Sequence, residues 1–311
     1  MLRHVCTVSL VVTLSACGGD SLMRPTGPDP SSPPSPSPTP SPSPPPPSVG
    51  GVETLVGAGD IGWCGERGAE LTASLLDRIG GTVFTLGDHA YLTGSAQDFA
   101  NCYEPWWGRH KGRTRPVPGN HEYETAGAAG YFGYFGVRAG LPGSGYYGYG
   151  LGSWHIIALN SEISAFPGSP QFEWLRSELA ANPTRCTLAY FHTPVFGSGS
   201  NGGNPHMQAI WGVLQAAGAD VVVNGHNHSY ERFAPQDADG RPDAVRGLRQ
   251  FVVGTGGAPL TSMPFTAANS EVRSNSSWGV LKLTLLGDAY DWEFVPVAGG
   301  AFTDRGTGNC H

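Results

Sequence analysis

Apolar and polar positions follow two rhythms along most of the chain. "ETLVGAGD" (53–60) is a short apolar run closed by Gly-Asp, which reads as a buried strand. In "ERGAELTASLLDRIG" (66–80), Leu71, Leu75, Leu76 and Ile79 recur at helical spacing before the terminating glycines. "GTVFTLGD" (81–88) predicts a second strand, and "RTRPVPGNH" (113–121) an extended segment, because its two prolines exclude helix. Strands follow at 153–161, 186–192 and 219–226. Between them lie helices at 169–182, with Pro170 in the first turn, and at 204–218. The closing stretches "RQFVVGTGG" and "WGVLKLTLLGDAYDWEFVPV" have the period of two that marks β-structure. Strands alternating with helices and then β-hairpins predict an α/β sandwich. In such folds the loops after strand C-termini are where sites are built.

The first fifty residues break this pattern. Arg3 and His4 precede an apolar run from Val5 to Leu14, an export signal (1–16) too short to remain in a bilayer as a spanning helix. Leu14-Ser15-Ala16-Cys17 resembles the lipobox of bacterial lipoproteins, which implies cleavage before Cys17 and its lipidation. Gly18 follows it, so the resemblance gives no inner-membrane retention signal. The expected location is therefore a bacterial cell envelope, periplasmic or at the cell surface, with plain secretion as the alternative. Residues 17–50 form a Ser/Pro linker that holds 13 of the 27 prolines. Such a segment favours polyproline II and, at about 3.1 Å per residue, reaches about 80–90 Å.

Residues 51–311 are long enough for one large domain. The net charge is −7 and no basic stripe is present, which disfavours nucleic acid as a partner; membrane contact is expected only through the anchor at Cys17. Beyond Cys6 and Cys17, the domain has Cys64, Cys102, Cys186 and Cys310, an even number that suggests two disulfides with three connectivities open.

Chemistry-bearing residues sit just past the predicted strands: "GDIG" (59–62), "GDHAY" (87–91), "GNHE" (119–122), "YFH" (190–192) and "GHNH" (225–228). Singly each is weak, since Gly-Asp after a strand is usually a turn and a lone histidine usually a hydrogen-bonded core residue. Five in this order, each on a strand end, make a strong joint signal. Cys64 and Cys102 flank neighbouring loops of this set, which favours Cys64–Cys102 with Cys186–Cys310 among the three pairings.

This set resembles the calcineurin-like metallophosphoesterases, and within them the purple acid phosphatases, whose pattern is D-x-G, G-D-x-x-Y, G-N-H-[DE], V-x-x-H and G-H-x-H. "TRPVPGNHEYE" and "GHNHSYERF" extend the likeness, which runs from about Val52 to Arg232. Ala189 stands where the family usually has Val. The resemblance implies a four-layer α-β-β-α sandwich of two mixed sheets, and two metal ions bridged by Asp88. One ion would take Asp60, Asp88, Tyr91 and His228; the other Asp88, Asn120, His192 and His226. Two ions about 3.5–4 Å apart clamp both oxygens of an in-line displacement. Oxygen donors mixed with imidazole suit iron, manganese or zinc.

Many metallophosphoesterases carry a histidine where this chain has Gly62, and Tyr91 supplies a replacement oxygen. A phenol ionises in acid only against a strong Lewis acid, so the implied pair is Fe(III) at the Tyr91 site and iron, zinc or manganese at the second. The implied reaction is hydrolysis of a small phosphate monoester by a metal-bound hydroxide at acidic pH. Asn120 and His121 would contact the phosphate, with His121 stabilising the transition state and protonating the leaving group. His89 and His206 are further candidate substrate contacts, and Glu122, Glu231 and Arg232 read as supports behind the ligands. The alternatives are a phosphodiesterase or nucleotidase of the same fold, or a surface binding module with structural metals, against which the complete donor set argues. Substrate choice is expected in the loops 140–150 and 197–206.

Overall fold

The computed structural model describes residues 51–311. The expected signal, the Cys17 anchor and the Ser/Pro linker lie outside the described residues. In chain order the first seven strands are β1 (Glu53–Ala58), β2 (Thr82–Leu86), β3 (Thr114–Val117), β4 (Tyr147–Leu151), β5 (Trp154–Ala158), β6 (Cys186–Tyr190) and β7 (Val221–Asn224). They are followed by β8 (Tyr230–Phe233), β9 (Arg249–Val253), β10 (Ser270–Ser274), β11 (Gly279–Leu285), β12 (Ala289–Pro296) and β13 (Arg305–Asn309). The helices are α1 (Gly68–Leu76), α2 (Ala96–Asp98), α3 (Asn120–Tyr123), α4 (Ala129–Phe135), α5 (Pro170–Ala181) and α6 (Gln208–Ala216).

Two mixed sheets result, ordered β13-β12-β11-β1-β2-β3 and β10-β8-β9-β7-β6-β5-β4. β1, β2 and β3 run parallel in the first; β5, β6, β7 and β9 run parallel in the second. The period of two explains how the second sheet serves two cores. Trp154, Ile156, Leu188, Tyr190, Val221 and Val223 join the main core with residues of the first sheet such as Leu55, Val83 and Leu283. Their neighbours Ile157, Ala189 and Val222 face outward and are covered by Phe172 and Leu175 of α5 and Ile210, Trp211 and Leu214 of α6. Ser169 caps α5, its hydroxyl accepting from the Phe172 amide, and Pro170 opens the first turn. No described helix is long and apolar enough to cross a membrane.

The strands end sooner than the apolar runs suggest, and for a local reason. After Ala58 the chain leaves the first sheet, the Gly59 amide donating to the Val253 carbonyl of the second at 2.9 Å. The extended segment predicted over 113–121 holds only to Val117. Past Pro118 the backbone is free of proline and coils into α3, and the Glu122 carboxylate accepts from the Gly119 amide at 2.7 Å. The disulfides are Cys64–Cys102 and Cys186–Cys310; the second ties β6 to the tail beyond β13, joining the two sheets covalently.

Candidate metal centre

Donors from both sheets meet at the C-terminal ends of the parallel strands. Asp60 follows β1, Asp88 and Tyr91 follow β2, Asn120 follows β3, His192 follows β6, and His226 and His228 follow β7. Asp60, Asp88 and His226 have left-handed backbone (φ of 60°, 50° and 68°), a region that residues with a Cβ seldom occupy and that clusters at functional sites. The glycines of the motifs answer to crowding here. A Cβ on Gly119 would stand 2.3 Å from Asp88 Oδ1, and one on Gly225 would stand 2.8 Å from Asp60 Oδ2.

The donors form two cages. In one, the Tyr91 hydroxyl lies 3.0 Å from Asp60 Oδ1, 3.1 Å from Asp88 Oδ2 and 3.0 Å from His228 Nε2. In the other, His192 Nε2 lies 3.0 Å from Asn120 Oδ1, 3.1 Å from His226 Nδ1 and 3.4 Å from Asp88 Oδ2. Asp88 belongs to both. His192 Nδ1–H donates to the Leu86 carbonyl at 2.6 Å and His228 Nδ1–H to that of Pro259 at 2.8 Å. Each imidazole therefore turns Nε2 inward, the orientation that holds a ligating histidine.

Each cage is built of oxygen and imidazole nitrogen atoms that carry lone pairs, with no Lys or Arg among them. Burial works against a charge on His192, yet Asp88 prevails and lifts the imidazole to about 10. Burial also opposes the Asp88 charge, but His192 and then His121 hold its carboxyl well below the ordinary range. Burial and the neighbouring His192 drop His226 to about 4, leaving it neutral with a free lone pair. Burial, with Asp60 and Asp88, pushes the Tyr91 phenol well above its ordinary 10. Such a donor set fits cations that replace the Tyr91 and His192 protons, and Asp88, His192 and His226 offer atoms within 4.8 Å of one another.

Around the cages, His121 is part-exposed; its amide donates to Asp88 Oδ1 at 3.0 Å and its Nε2 stands 3.9 Å from Asp88 Oδ2. Glu122 is buried and accepts from the amides of Asp88, His89 and Gly119, tying the β2 and β3 loops together. The expectation for His89 needs correction. Its ring is wholly enclosed by Phe99, Tyr103, Tyr131 and Phe135, with Nε2 on Thr85 Oγ1 at 2.7 Å, so it is out of reach of a substrate. Past β2 the backbone turns left-handed at Gly87 and Asp88, and Asp88 faces the cages while His89 faces the core. His206 is not brought into either cage; its Nε2 donates to the Ile163 carbonyl at 2.8 Å. Arg232 pairs with Asp304 and Glu271, away from the cages. Sequence reasoning missed Trp63, whose ring packs 4.8 Å from that of Tyr91 beside the Cys64 disulfide, and the orienting carbonyls of Leu86 and Pro259. Only the place of Trp63 directly after "GDIG" hinted at its role; backbone acceptors leave no residue signal.

A sequence model of the family described as calcineurin-like phosphoesterase matches residues 54–230, more than half of the chain. The chain belongs to the calcineurin-like phosphoesterases. Purple acid phosphatase 15 of Arabidopsis thaliana is 29% identical over 187 residues, covering 48% of this chain and 35% of that protein. The uncharacterized protein Rv2577 of Mycobacterium tuberculosis is 28% identical over 229 residues, 58% of this chain and 42% of its own. The chain spans about a third to under a half of the curated relatives it matches. Among solved structures, a purple acid phosphatase from yellow lupin (Lupinus luteus) seeds superposes with a TM-score of 0.69 at 19% identity, covering 84% of this chain and 54% of that one. The Plasmodium protein GAP50, described as the anchor in the inner membrane complex, superposes with a TM-score of 0.64 at 15% identity over 84% of this chain and 89% of its own. These likenesses establish the phosphoesterase fold; the family implies a pair of metal ions.

Proposed function

We propose that this phosphoesterase is an exported enzyme, lipid-anchored at Cys17, that hydrolyses phosphate monoesters at two metal ions sharing Asp88. The observation that carries the reading is the pair of oxygen and nitrogen donor cages joined by one carboxylate, that of Asp88. Asp60, Asp88, Tyr91 and His228 would hold one ion; Asp88, Asn120, His192 and His226 the other. The elevated phenol of Tyr91 favours Fe(III) in the first cage, because a cation of high charge is needed to displace that proton. Iron, zinc or manganese suits the second. When bound, the ions supply Lewis acidity toward the phosphoryl oxygens and acidify water.

The chain's own groups orient the ester. Asn120 Oδ1 lies 3.0 Å from both His192 Nε2 and His226 Nδ1, which places its amide at the second ion's site. His121 Nδ1–H donates to the Leu92 carbonyl, so Nε2 is the ring atom left to pass a proton to the leaving oxygen. Tyr91 and His192 are buried, which limits water on the inner side.

The test combines elemental analysis, a visible spectrum and turnover from pH 4 to 9 of p-nitrophenyl phosphate against bis-p-nitrophenyl phosphate and nucleotides. The expected result is two metals per chain, a broad tyrosinate-iron band, and faster monoester than diester hydrolysis in acid. Asp88→Asn should lose metal and cut kcat at least about 1000-fold. Retention of both metals and hydrolysis by that variant would falsify the reading. Preference for the diester would move the substrate to the phosphodiesterase class.

A further inference from the structure

The G-H-x-H pattern leaves its third position open, and here it is Asn227. His226 and His228 turn toward the cages, so the residue between them turns away, and Asn227 is 1% exposed. Its Nδ2–H donates to the Gly202 carbonyl at 2.9 Å and its Oδ1 accepts from the Asn201 amide at 3.2 Å; the two bonds fix the amide's orientation. Asn201 returns the contact, its Nδ2–H donating to the His226 carbonyl at 3.0 Å. The loop "GSGSNGG" (197–203) is shaped around this side chain. A Cβ on Gly197 would stand 2.6 Å from Asn227 Nδ2, and one on Gly199 would stand 2.5 Å from Asn227 Cγ. Its base is fixed separately: the Ser198 amide and hydroxyl donate to the buried Glu231 carboxylate.

A glycine-rich segment has no shape of its own, because each glycine loses more conformational freedom than any other residue on ordering. The exposed tip is closed by the Gly202 amide donating to the Gly199 carbonyl at 2.9 Å, and it is held against the donor loop by the Asn227 side chain and by Asn201, tied to the backbone of His226. We propose that Asn227 is a positioning residue that fixes the 197–203 loop as the wall selecting among phosphate esters. This rests on the hydrolase reading above.

The test uses the metal-loaded chain, with glycerol phosphate as the small ester, adenosine monophosphate as the bulky one, and the variants Asn227→Val and Asn201→Ala. Hydrogen exchange at the Asn201 amide should quicken at least about tenfold in Asn227→Val. In both variants the kcat/KM ratio of bulky to small ester should rise at least about fivefold, carried by KM, with kcat for glycerol phosphate within about twofold and metal content unchanged. Faster exchange with an unchanged ratio overturns the proposal. If Asn227→Val loses metal, Asn201→Ala decides: a raised ratio at full metal content supports the proposal, an unchanged ratio overturns it. A wild-type chain that hydrolyses neither ester overturns the hydrolase reading and this inference with it.

Discussion

At the residue scale, the cages show why particular donor types stand at particular positions. Tyr91 and His192 both hold their protons above neutral pH. Metal loading must therefore expel them. Loading at pH 7 is expected to release about two protons per pair of ions, seen by titrating a weakly buffered solution. Affinity should weaken as pH falls, because the displaced protons then compete better. His89 gives the opposite case. "GDHAY" offers three polar residues within four positions, Asp88, His89 and Tyr91, yet the backbone sends Asp88 to the cages and His89 into the aromatic core. His89→Phe should leave KM within about twofold while lowering stability by about 1–3 kcal/mol, since Thr85 loses its buried partner. Kinetics beside a thermal melt separate the two effects.

At the element scale, strand ends do the placing. Gly-Asp, Gly-Asn and Gly-His recur because neighbouring strand ends come too close for a Cβ and because three donors take left-handed backbone. Gly225→Ala should therefore push on Asp60 and Leu86 and weaken metal binding at least about tenfold, measured by metal content after dialysis against a mild chelator. The main strands and helices were legible because their periods of two and 3.6 match one buried face or stripe. The candidate donors were legible because each follows such a strand. Short pieces were not: β4, β8 and β10, of five residues or fewer, carry too little pattern, and the proline rule, which ends at Pro118, could not foresee the turn of helix α3 after Gly119. Nor could residue types alone reveal that carbonyls of Leu86 and Pro259 orient the imidazoles.

At the scale of the whole molecule, the Cys186–Cys310 bond closes a separation of 124 residues and holds the C-terminal tail to the far sheet. Removing it with a Cys186→Ser, Cys310→Ser double variant should cost about 2–5 kcal/mol, read from denaturant unfolding with metals present. Cys186 opens β6 at the end opposite His192, so loss of stability should precede loss of kcat.

The donors come in two groups, Asp60, Asp88, Tyr91 and Asn120 from the first sheet, His192, His226 and His228 from the second. Bound ions would thus act as rivets through the seam between the halves, and neither half could retain them alone. Cation retention then reports correct assembly, and stripping with a strong chelator should lower the melting temperature by several degrees. A chain that has folded only one sheet would be recognisable by its failure to keep metal.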